Sequence, residues 1–339
     1  MIPSPVLTYW RRMHPWPTDE QVEQDLLLSQ LAILLARHEA LAECLVWRGG
    51  TCFHKLHLLQ ARRYSEDLDY VLVGRTGPTG WLADAIRTAA AESPLRVAGR
   101  QVKAGSVKVF LEGEAASGVT IRVKVEVNTD EVPPCMALAR VPHTISTRWW
   151  TGAADIATFQ PPELVGSKFR ALAQRRKGRD LWDLWLARRE LAIPDGDLAA
   201  AAGHYLRACG VSPSVFRARL AANVADPQFR SDLELVALGG LGDYDPYRTA
   251  AELILWSDEH LDPIWNMSRR QTAIERERRG WARHGWAPGA VRCPHYEVTR
   301  DGALRCPRWH PAGEACLDHP TAWHRPVPPW EICKMDPIR

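Results

Sequence analysis

The most informative part of the sequence reads WRGGTCFHKLHLLQARRYSEDLDYVL and spans residues 47–72 of the 339-residue chain. An apolar run at residues 44–47 leads into the glycine pair Gly49-Gly50. This pattern predicts a buried strand that stops at a tight turn. The apolar residues that follow predict a helix, and Thr51 is a suitable N-cap for it. Because free amides and a helix N-terminus point at the same place, the unit predicts an anion site.

Two carboxylates follow at the end of the same stretch. Strand residues two apart share a face, so Asp67 and Asp69 are expected to project side by side. Mg²⁺, and equally Mn²⁺, binds one or two carboxylates and completes its shell with phosphate oxygens and water. The stretch therefore predicts a divalent metal beside a phosphate site, as two-metal displacement at phosphorus requires. The alternative is an ordinary strand–turn–helix with two solvated carboxylates. A Walker A loop is excluded, because no Gly-Lys-Ser/Thr follows the glycines.

The same stretch resembles the GG-[ST]…D-x-D signature of the nucleotidyltransferase superfamily that includes DNA polymerase beta and the aminoglycoside nucleotidyltransferases. It resembles more closely the AbiEii/MenT toxins of bacterial toxin–antitoxin pairs, whose pattern is GGT, a short helix and R-[FY]-S-x-D-[IL]-D. Residues 49–51 and 63–69 match that pattern in order. The resemblance implies an α+β fold, with a polymerase beta-like nucleotidyltransferase core and a helical C-terminal lobe. It also implies that nucleotide binds at Gly49, Gly50, Thr51 and Ser65, and metal at Asp67 and Asp69.

A later strand supplies a third acidic candidate. Residues 119–128 alternate cleanly, with valine or isoleucine on one face and charged or polar residues on the other. Polymerase-type nucleotidyltransferases carry a third acidic metal ligand on such a strand, and by that resemblance Glu126 is the candidate. Lys124 or Arg122, on the same face, would neutralise phosphate charge. The alternative is a charged strand face that is simply solvated.

A second family signature, K-x-x-A-L-x-x-R…[KR]-D-x-x-D-[IL], is matched at Lys168, Ala171, Leu172, Arg175, Arg179, Asp180 and Asp183. In the AbiEii/MenT family the lysine contacts nucleotide phosphate and an acidic residue is needed for activity. The resemblance therefore assigns these catalytic roles to Lys168 and Asp180. A lysine stem that emerges from a helix suits a phosphate clamp. Asp180 follows Arg179 directly, so a plain ion pair is the alternative for that carboxylate.

The order of elements predicts three parts. A nucleotidyltransferase core at residues 1–160 would contain strands at 44–47, 67–73, 106–112 and 119–128. The segment between Pro134 and Pro162 is expected to be irregular. A helical lobe would follow at residues 161–280, and a C-terminal extension at residues 281–339.

The predicted extension differs from the rest of the chain in composition. It is rich in Trp, Pro, His and Cys, and its cysteines and histidines include Cys293, His295, Cys306, His310, Cys316, His319, His324 and Cys333. Their density favours a structural Zn²⁺ site, but the spacing fits no standard zinc finger. The alternative, which we adopt as the expectation, is an extension that packs on the main body and takes no part in the chemistry.

Composition limits where the protein works. A net charge of +3 is only mildly basic, so affinity for nucleic acid must come from a local patch. No run of 18 apolar residues and no signal-peptide pattern occur, which predicts a cytoplasmic protein without a membrane partner. The eight cysteines are then expected to be thiols or metal ligands instead of disulfides.

The predicted activity is transfer of a nucleoside monophosphate from an NTP to an acceptor hydroxyl. By the resemblance to MenT toxins, the acceptor is the 3′ end of tRNA, and a cognate antitoxin is a further expected partner. One alternative is transfer to a small molecule such as an aminoglycoside. Another is a nucleotide- or RNA-binding protein without turnover, against which the intact pair Asp67 and Asp69 argues.

Overall fold

A computed structural model describes residues 2–58, 60–233, 237, 240–283, 297–298 and 304–305, with side chains through residue 266. The chain divides into two compact units, Met1–Trp265 and Asn266–Arg339. All the catalytic, nucleotide-binding and Mg²⁺-binding candidates named above belong to the first unit, whereas the zinc candidates belong to the second. The three-part division at residues 160 and 280 stays a prediction.

The first unit is built on a seven-stranded mixed sheet with the order β3-β4-β5-β2-β1-β7-β6. Its strands are β1 (Leu45–Arg48), β2 (Asp67–Leu72), β3 (Arg96–Lys103), β4 (Ser106–Glu114), β5 (Thr120–Asn128), β6 (Ala139–Ser146) and β7 (Thr151–Thr158). The pairs β2·β5 and β1·β7 are parallel, and the other neighbours are antiparallel. In the second unit, β8 (Glu297–Val298) pairs with β9 (Leu304–Arg305).

The described helices begin with α1 (Ser4–Met13), α2 (Asp19–Arg37), α3 (Glu39–Ala42), α4 (Gly49–Cys52) and α5 (Trp81–Ala90). A π-helical turn, Phe53–His57, continues α4. After the sheet come α6 (Pro161–Gln174), α7 (Gly178–Glu190), α8 (Asp195–Ala208), α9 (Pro213–Ala225), α10 (Pro227–Ser231) and α11 (Pro246–Arg283). None of the described helices is long and apolar enough to cross a membrane.

Period-2 patterning places the core on one face of the sheet. In β4 the side chains of Val107, Val109 and Leu111 are fully buried, whereas the intervening residues are not. Helices α2 and α5 pack against strands of this sheet. α2 begins with a complete capping box between Thr18 and Gln21, and it buries nearly all of its central residues. The opposite face of β2, β4 and β5 is left to the polar residues of the candidate site.

Four predicted strands are confirmed as β1, β2, β4 and β5, and the α+β class is confirmed with them. The prediction that residues 135–162 are irregular is wrong, because β6 and β7 lie there. β7 is rich in glycine and alanine, which give weak strand signals. β6 contains Pro142, which is tolerated there because β6 is the edge strand of the sheet.

The cysteines of the first unit, Cys44, Cys52, Cys135 and Cys209, are free thiols. The predicted zinc-binding residues of the extension lie outside the described residues. A zinc site in the extension therefore stays a prediction.

Candidate active site

The glycine pair lets two side chains come close to the backbone after β1. Gly49 has φ +84°, and a Cβ at this position would lie 2.5 Å from Asp69 Oδ2. A Cβ at Gly50 would lie 2.3 Å from Arg63 Nη2. A Cβ would displace the Asp69 carboxylate at Gly49 and the Arg63 guanidinium at Gly50, and the positive φ of Gly49 also favours glycine there.

Thr51 ties the turn to the start of β2. Its buried hydroxyl donates to the carbonyl oxygen of Asp67 at 2.6 Å and lies 2.8 Å from Ser65 Oγ. The predicted helix start near Thr51 lies two residues after the observed start. The helix begins at Gly49, with Arg48 at the N-cap position, so Thr51 lies within the first turn. Its hydroxyl therefore fixes the loop that carries Ser65 and Asp67.

Strand pairing brings the three predicted metal ligands to one face of the sheet. In the parallel pair of β2 and β5, Asp69 lies opposite Glu126 and Asp67 lies opposite Lys124. Lys124 Nζ bridges two of the carboxylates, at 3.0 Å from Asp67 Oδ2 and 3.1 Å from Glu126 Oε2. Lys108 Nζ, on β4, lies 3.0 Å from Glu126 Oε1.

The surroundings of Asp69 and Glu126 shift the pKa values of these two carboxyls in opposite directions. Burial raises the pKa of Asp69, and repulsion from Asp67 raises it further, against the attraction of Arg48 and Lys124. Burial also disfavours ionised Glu126, but hydrogen bonds from Lys108 and Lys124 outweigh it and lower the pKa of that carboxyl. A cation added beside Asp67 and Asp69 would relieve the repulsion between them.

The oxygen donors of Asp67 and Asp69 fit a hard divalent cation such as Mg²⁺. Glu126 fits less directly, because both of its oxygens are paired with lysine. Within the described residues, no group of three or more Cys, His, Asp or Glu side chains is arranged to hold a metal. Glu126 would therefore have to exchange Lys108 or Lys124 for the cation.

Lys168 reaches the site from α6, held by a buried ionic network that centres on Asp183 of α7. Lys168 Nζ donates to Asp183 Oδ2 at 2.7 Å. Arg63 binds both oxygens of the same carboxylate at 2.8 Å, and His54 Nε2 lies 3.2 Å from Oδ1. Burial disfavours the charge on Asp183, but Arg63 and Lys168 lower its pKa well below the usual value. Asp183 thus fixes a residue of each family signature.

Asp180 extends this network one turn earlier on α7. Arg175 donates to both of its oxygens, at 2.7 and 2.8 Å, and Lys168 Nζ lies 3.5 Å from Oδ1. Burial opposes ionisation, yet Lys168 and Arg175 lower the pKa of Asp180. The predicted partner Arg179 instead lies near Asp232. Asp180 is fully buried behind two basic side chains, which suits a positioning role.

Glu131 is a site residue that the sequence patterns did not reveal. Its buried carboxylate accepts from Arg48 at 2.6 Å, from Asn128 at 3.0 Å and from both terminal nitrogens of Arg170. Hydrogen bonds from Arg170 and the charge of Arg48 outweigh burial and lower the pKa of Glu131. Glu131 follows β5 in a stretch without periodicity, so no local signal pointed to it.

These parts meet in a cleft of about 570 Å³. Seven basic and four acidic side chains line it, so its walls carry an excess of positive charge. The predicted residues that line the cleft are Gly49, Gly50, Ser65, Asp67, Asp69, Glu126 and Lys168. Thr51 and Asp180 are buried behind its walls instead. A concave, basic, carboxylate-bearing cleft is suited to a polyanionic substrate with bound cations.

The family model described as "Nucleotidyl transferase AbiEii toxin, Type IV TA system" matches residues 33–252, which is more than half of the chain. The chain belongs to the AbiEii nucleotidyltransferase toxin family. The matched range contains both signatures and the whole ionic network, which makes this protein a nucleotidyltransferase of a toxin–antitoxin system. Membership also implies a nucleotide substrate and an antitoxin partner.

Two solved structures resemble this AbiEii-family chain at low sequence identity. MenT4, a nucleotidyltransferase toxin from Mycobacterium tuberculosis H37Rv, is 15% identical with a TM-score of 0.46, over 76% of this chain and 98% of its own. A protein from H. pylori described as a nucleotidyltransferase is 14% identical with a TM-score of 0.44, over 74% of this chain and 98% of its own. No curated protein has a significant match to the chain.

Proposed function

We propose that this AbiEii-family protein transfers a nucleoside monophosphate from an NTP to the 3′ end of tRNA, with Mg²⁺ or Mn²⁺, and thereby blocks aminoacylation and growth. The supporting observation is that the carboxylates of β2, the glycine turn and Lys168 line one basic cleft. Each supplies one requirement of nucleotidyl transfer: cation ligands, a close backbone approach and a fixed positive charge.

Asp67 and Asp69 would hold the metal, with Glu126 as the third ligand after it exchanges a lysine. When bound, the cation supplies charge neutralisation at the reacting phosphorus and at the leaving oxygen. Gly49, Gly50 and Ser65 would contact the triphosphate along the turn. Lys168, fixed by Asp183, would hold the charge that develops on the departing pyrophosphate. Asp180 would act through Lys168 and Arg175, as a positioning residue.

The basic rim of the cleft favours an RNA acceptor over an aminoglycoside. Arg170, Arg175 and Arg179 line the cleft on the side of α6 and α7. These positive charges would attract a polyanion such as RNA, whereas they would repel a polycationic aminoglycoside. The charges that pair with these arginines, Glu131, Asp180 and Asp232, lie largely buried behind the rim.

The test is to incubate the purified protein with each labelled NTP, Mg²⁺ or Mn²⁺ and total RNA. We expect label in the tRNA fraction, at the 3′ end, with no labelling in the presence of EDTA. The Asp69→Asn variant is the control for contaminating transferases. Label on an added aminoglycoside but on no RNA would refute the proposed acceptor. Binding of NTP without transfer to any acceptor would support the non-catalytic alternative.

A further inference from the structure

An exposed aromatic ring lies on the sheet face that carries the site carboxylates. Phe110, on β4, is 41% exposed, which is unusual for a phenylalanine in the middle of a strand. It is paired in register with Lys124 of β5, and Lys124 in turn lies opposite Asp67 of β2. Side chains opposite one another in a sheet share a face. The ring therefore stands in line with Lys124 and Asp67, two strands from the metal carboxylates.

Phe110 lines a second cavity, of about 530 Å³. Three of its lining residues, Glu66, Asp67 and Lys124, also line the catalytic cleft. The spacing of neighbouring strands puts the backbone at Phe110 about 10 Å from that at Asp67. A nucleotide can bridge such a span, with its base on the ring and a ribose hydroxyl toward the carboxylates.

The neighbouring edge strand leaves the ring accessible. Gly99 of β3 lies opposite Phe110, next to a register shift after Val97. A Cβ at Gly99 would be in ordinary contact with Phe110 Cδ2, at 3.7 Å, so the glycine keeps side-chain atoms off this ring. The position is thus open to a flat group from solution.

A cation flanks the same cavity. The side chain of Arg122 is 78% exposed, and among the described residues it pairs with the partly exposed Glu112, at 2.8 Å. An exposed ion pair contributes little to stability, so the guanidinium can turn to a phosphate at small cost. An aromatic ring beside an exposed arginine is the combination on which single-stranded nucleic acids bind.

Sheet order separates this cavity from the expected triphosphate site. The glycine turn follows β1, and Lys168 comes from α6, whose Arg170 binds the same carboxylate, Glu131, as Arg48 of β1. Phe110 lies beyond β5, on the other side of the carboxylates. A donor NTP held on the first side leaves the second side for the acceptor, with the reacting phosphorus between them.

We infer that Phe110 is the stacking platform for a base at the single-stranded 3′ end of the RNA acceptor, with Arg122 on the adjoining phosphate. This inference rests on the proposed function and identifies where that acceptor binds. Phe110 positions the acceptor and takes no part in the proton or phosphoryl transfer.

The test measures transfer kinetics separately for the two substrates. Phe110→Ala should raise the KM for RNA by about tenfold, the loss expected for one stacked base. The KM for NTP should stay unchanged, and Phe110→Trp should restore RNA binding because it keeps an aromatic face. Val102→Ala is the matched control. Val102 is a similarly exposed apolar residue of the same hairpin, but it pairs with buried Val107 and so belongs to the other face.

A direct measurement uses an RNA whose 3′-terminal base is 2-aminopurine, titrated with the protein in the absence of NTP. Stacking on Phe110 should quench its fluorescence with the wild type and with Phe110→Trp, but not with Phe110→Ala. If wild-type transfer occurs and Phe110→Ala leaves the KM for RNA unchanged, the inference is wrong while the proposed function stands. A rise confined to the KM for NTP would assign the ring to the donor base and also overturn it. If the wild type labels no RNA, the proposed function itself fails.

Discussion

Asp69 carries a charge that the proposed function needs but that lowers the stability of the fold. Burial and the neighbouring Asp67 both disfavour its charge, as its raised pKa records. A neutral side chain of the same shape would remove the repulsion but would also remove a cation ligand. Asp69→Asn should therefore reduce nucleotide transfer to background, while the free energy of unfolding is unchanged or higher.

Denaturant unfolding and a transfer assay on the same preparation test this expectation. Near-normal transfer by a folded Asp69→Asn protein would show that Asp69 is not a metal ligand.

Lys168 should behave differently from Asp69, because it is placed to act on the triphosphate and not on the cation. Lys168→Ala should raise the KM for NTP and lower kcat, by about 100-fold together, through loss of a positioned charge. Binding of Mn²⁺ at Asp67 and Asp69, followed by its paramagnetic effect on water relaxation, should persist. Loss of Mn²⁺ binding in a folded Lys168→Ala protein would contradict the division of roles.

Asp183 acts through its neighbours instead of touching the cleft. Its side chain is 1% exposed and it pairs with both Arg63 and Lys168. Asp183→Asn would leave two buried cations short of a partner, so we expect a loss of about 3–5 kcal/mol in unfolding free energy. Asp243→Asn is the control, because Asp243 is 61% exposed in its ion pair with Arg189 and should cost under about 0.5 kcal/mol. Equal losses in the two variants would mean that the network is not structural.

At the scale of elements, the junction of β1 and α4, at Gly49, controls the position of Asp69. Gly49→Ala would place a Cβ 2.5 Å from Asp69 Oδ2 and would also strain a residue with positive φ. Gly74 has a similar φ of +75° with open space around its Cβ position, so Gly74→Ala isolates the strain alone. Both variants should lose about 1–2 kcal/mol of stability. Only Gly49→Ala should also reduce the transfer rate, by about 100-fold, because the new Cβ displaces the Asp69 carboxylate. Normal transfer by a folded Gly49→Ala protein would refute this account of the turn.

The sequence predicts well those elements whose signal is local. The glycine pair, the D-x-D spacing and the alternation of β5 each lie within about ten residues, and β1, β2 and β5 follow from them. β6 and β7 lack such a signal, because β7 is held by parallel pairing with β1 and β6 by pairing with β7. The sequence did not predict the role of Glu131 for a related reason. Its role depends on Arg48 and Arg170, which are 83 and 39 residues away.

At the scale of the whole molecule, buried histidines make the fold sensitive to acid. Burial lowers the pKa of His14, His54, His57 and His143 to about 4. In the unfolded chain these groups take up protons near pH 6.5, whereas in the folded chain they stay neutral until about pH 4. The unfolded state therefore binds more protons across this window, and stability falls as the pH is lowered through it.

We expect each of these histidines to contribute on the order of 1.4 kcal/mol per pH unit within the window. Urea unfolding at pH 7, 6 and 5 measures the total slope. Replacing one of them, as in His57→Asn, should reduce the slope by about 1.4 kcal/mol per pH unit, the contribution of one proton. A stability that is flat between pH 7 and pH 5 would contradict the burial of neutral histidines.

The ionic network around Asp183 constrains how this family can diverge. The buried charges of four residues neutralise one another inside the protein: Arg63, Lys168, Asp180 and Asp183. A change at one of them leaves a buried charge without its partner until a second position also changes. An evolutionary path that alters one position must pass through a damaged intermediate. Among descendants of a common ancestor, we therefore expect these positions either to stay fixed or to be exchanged as a set, and a chimaera that joins halves from two such lineages to fold poorly even when each parent is stable.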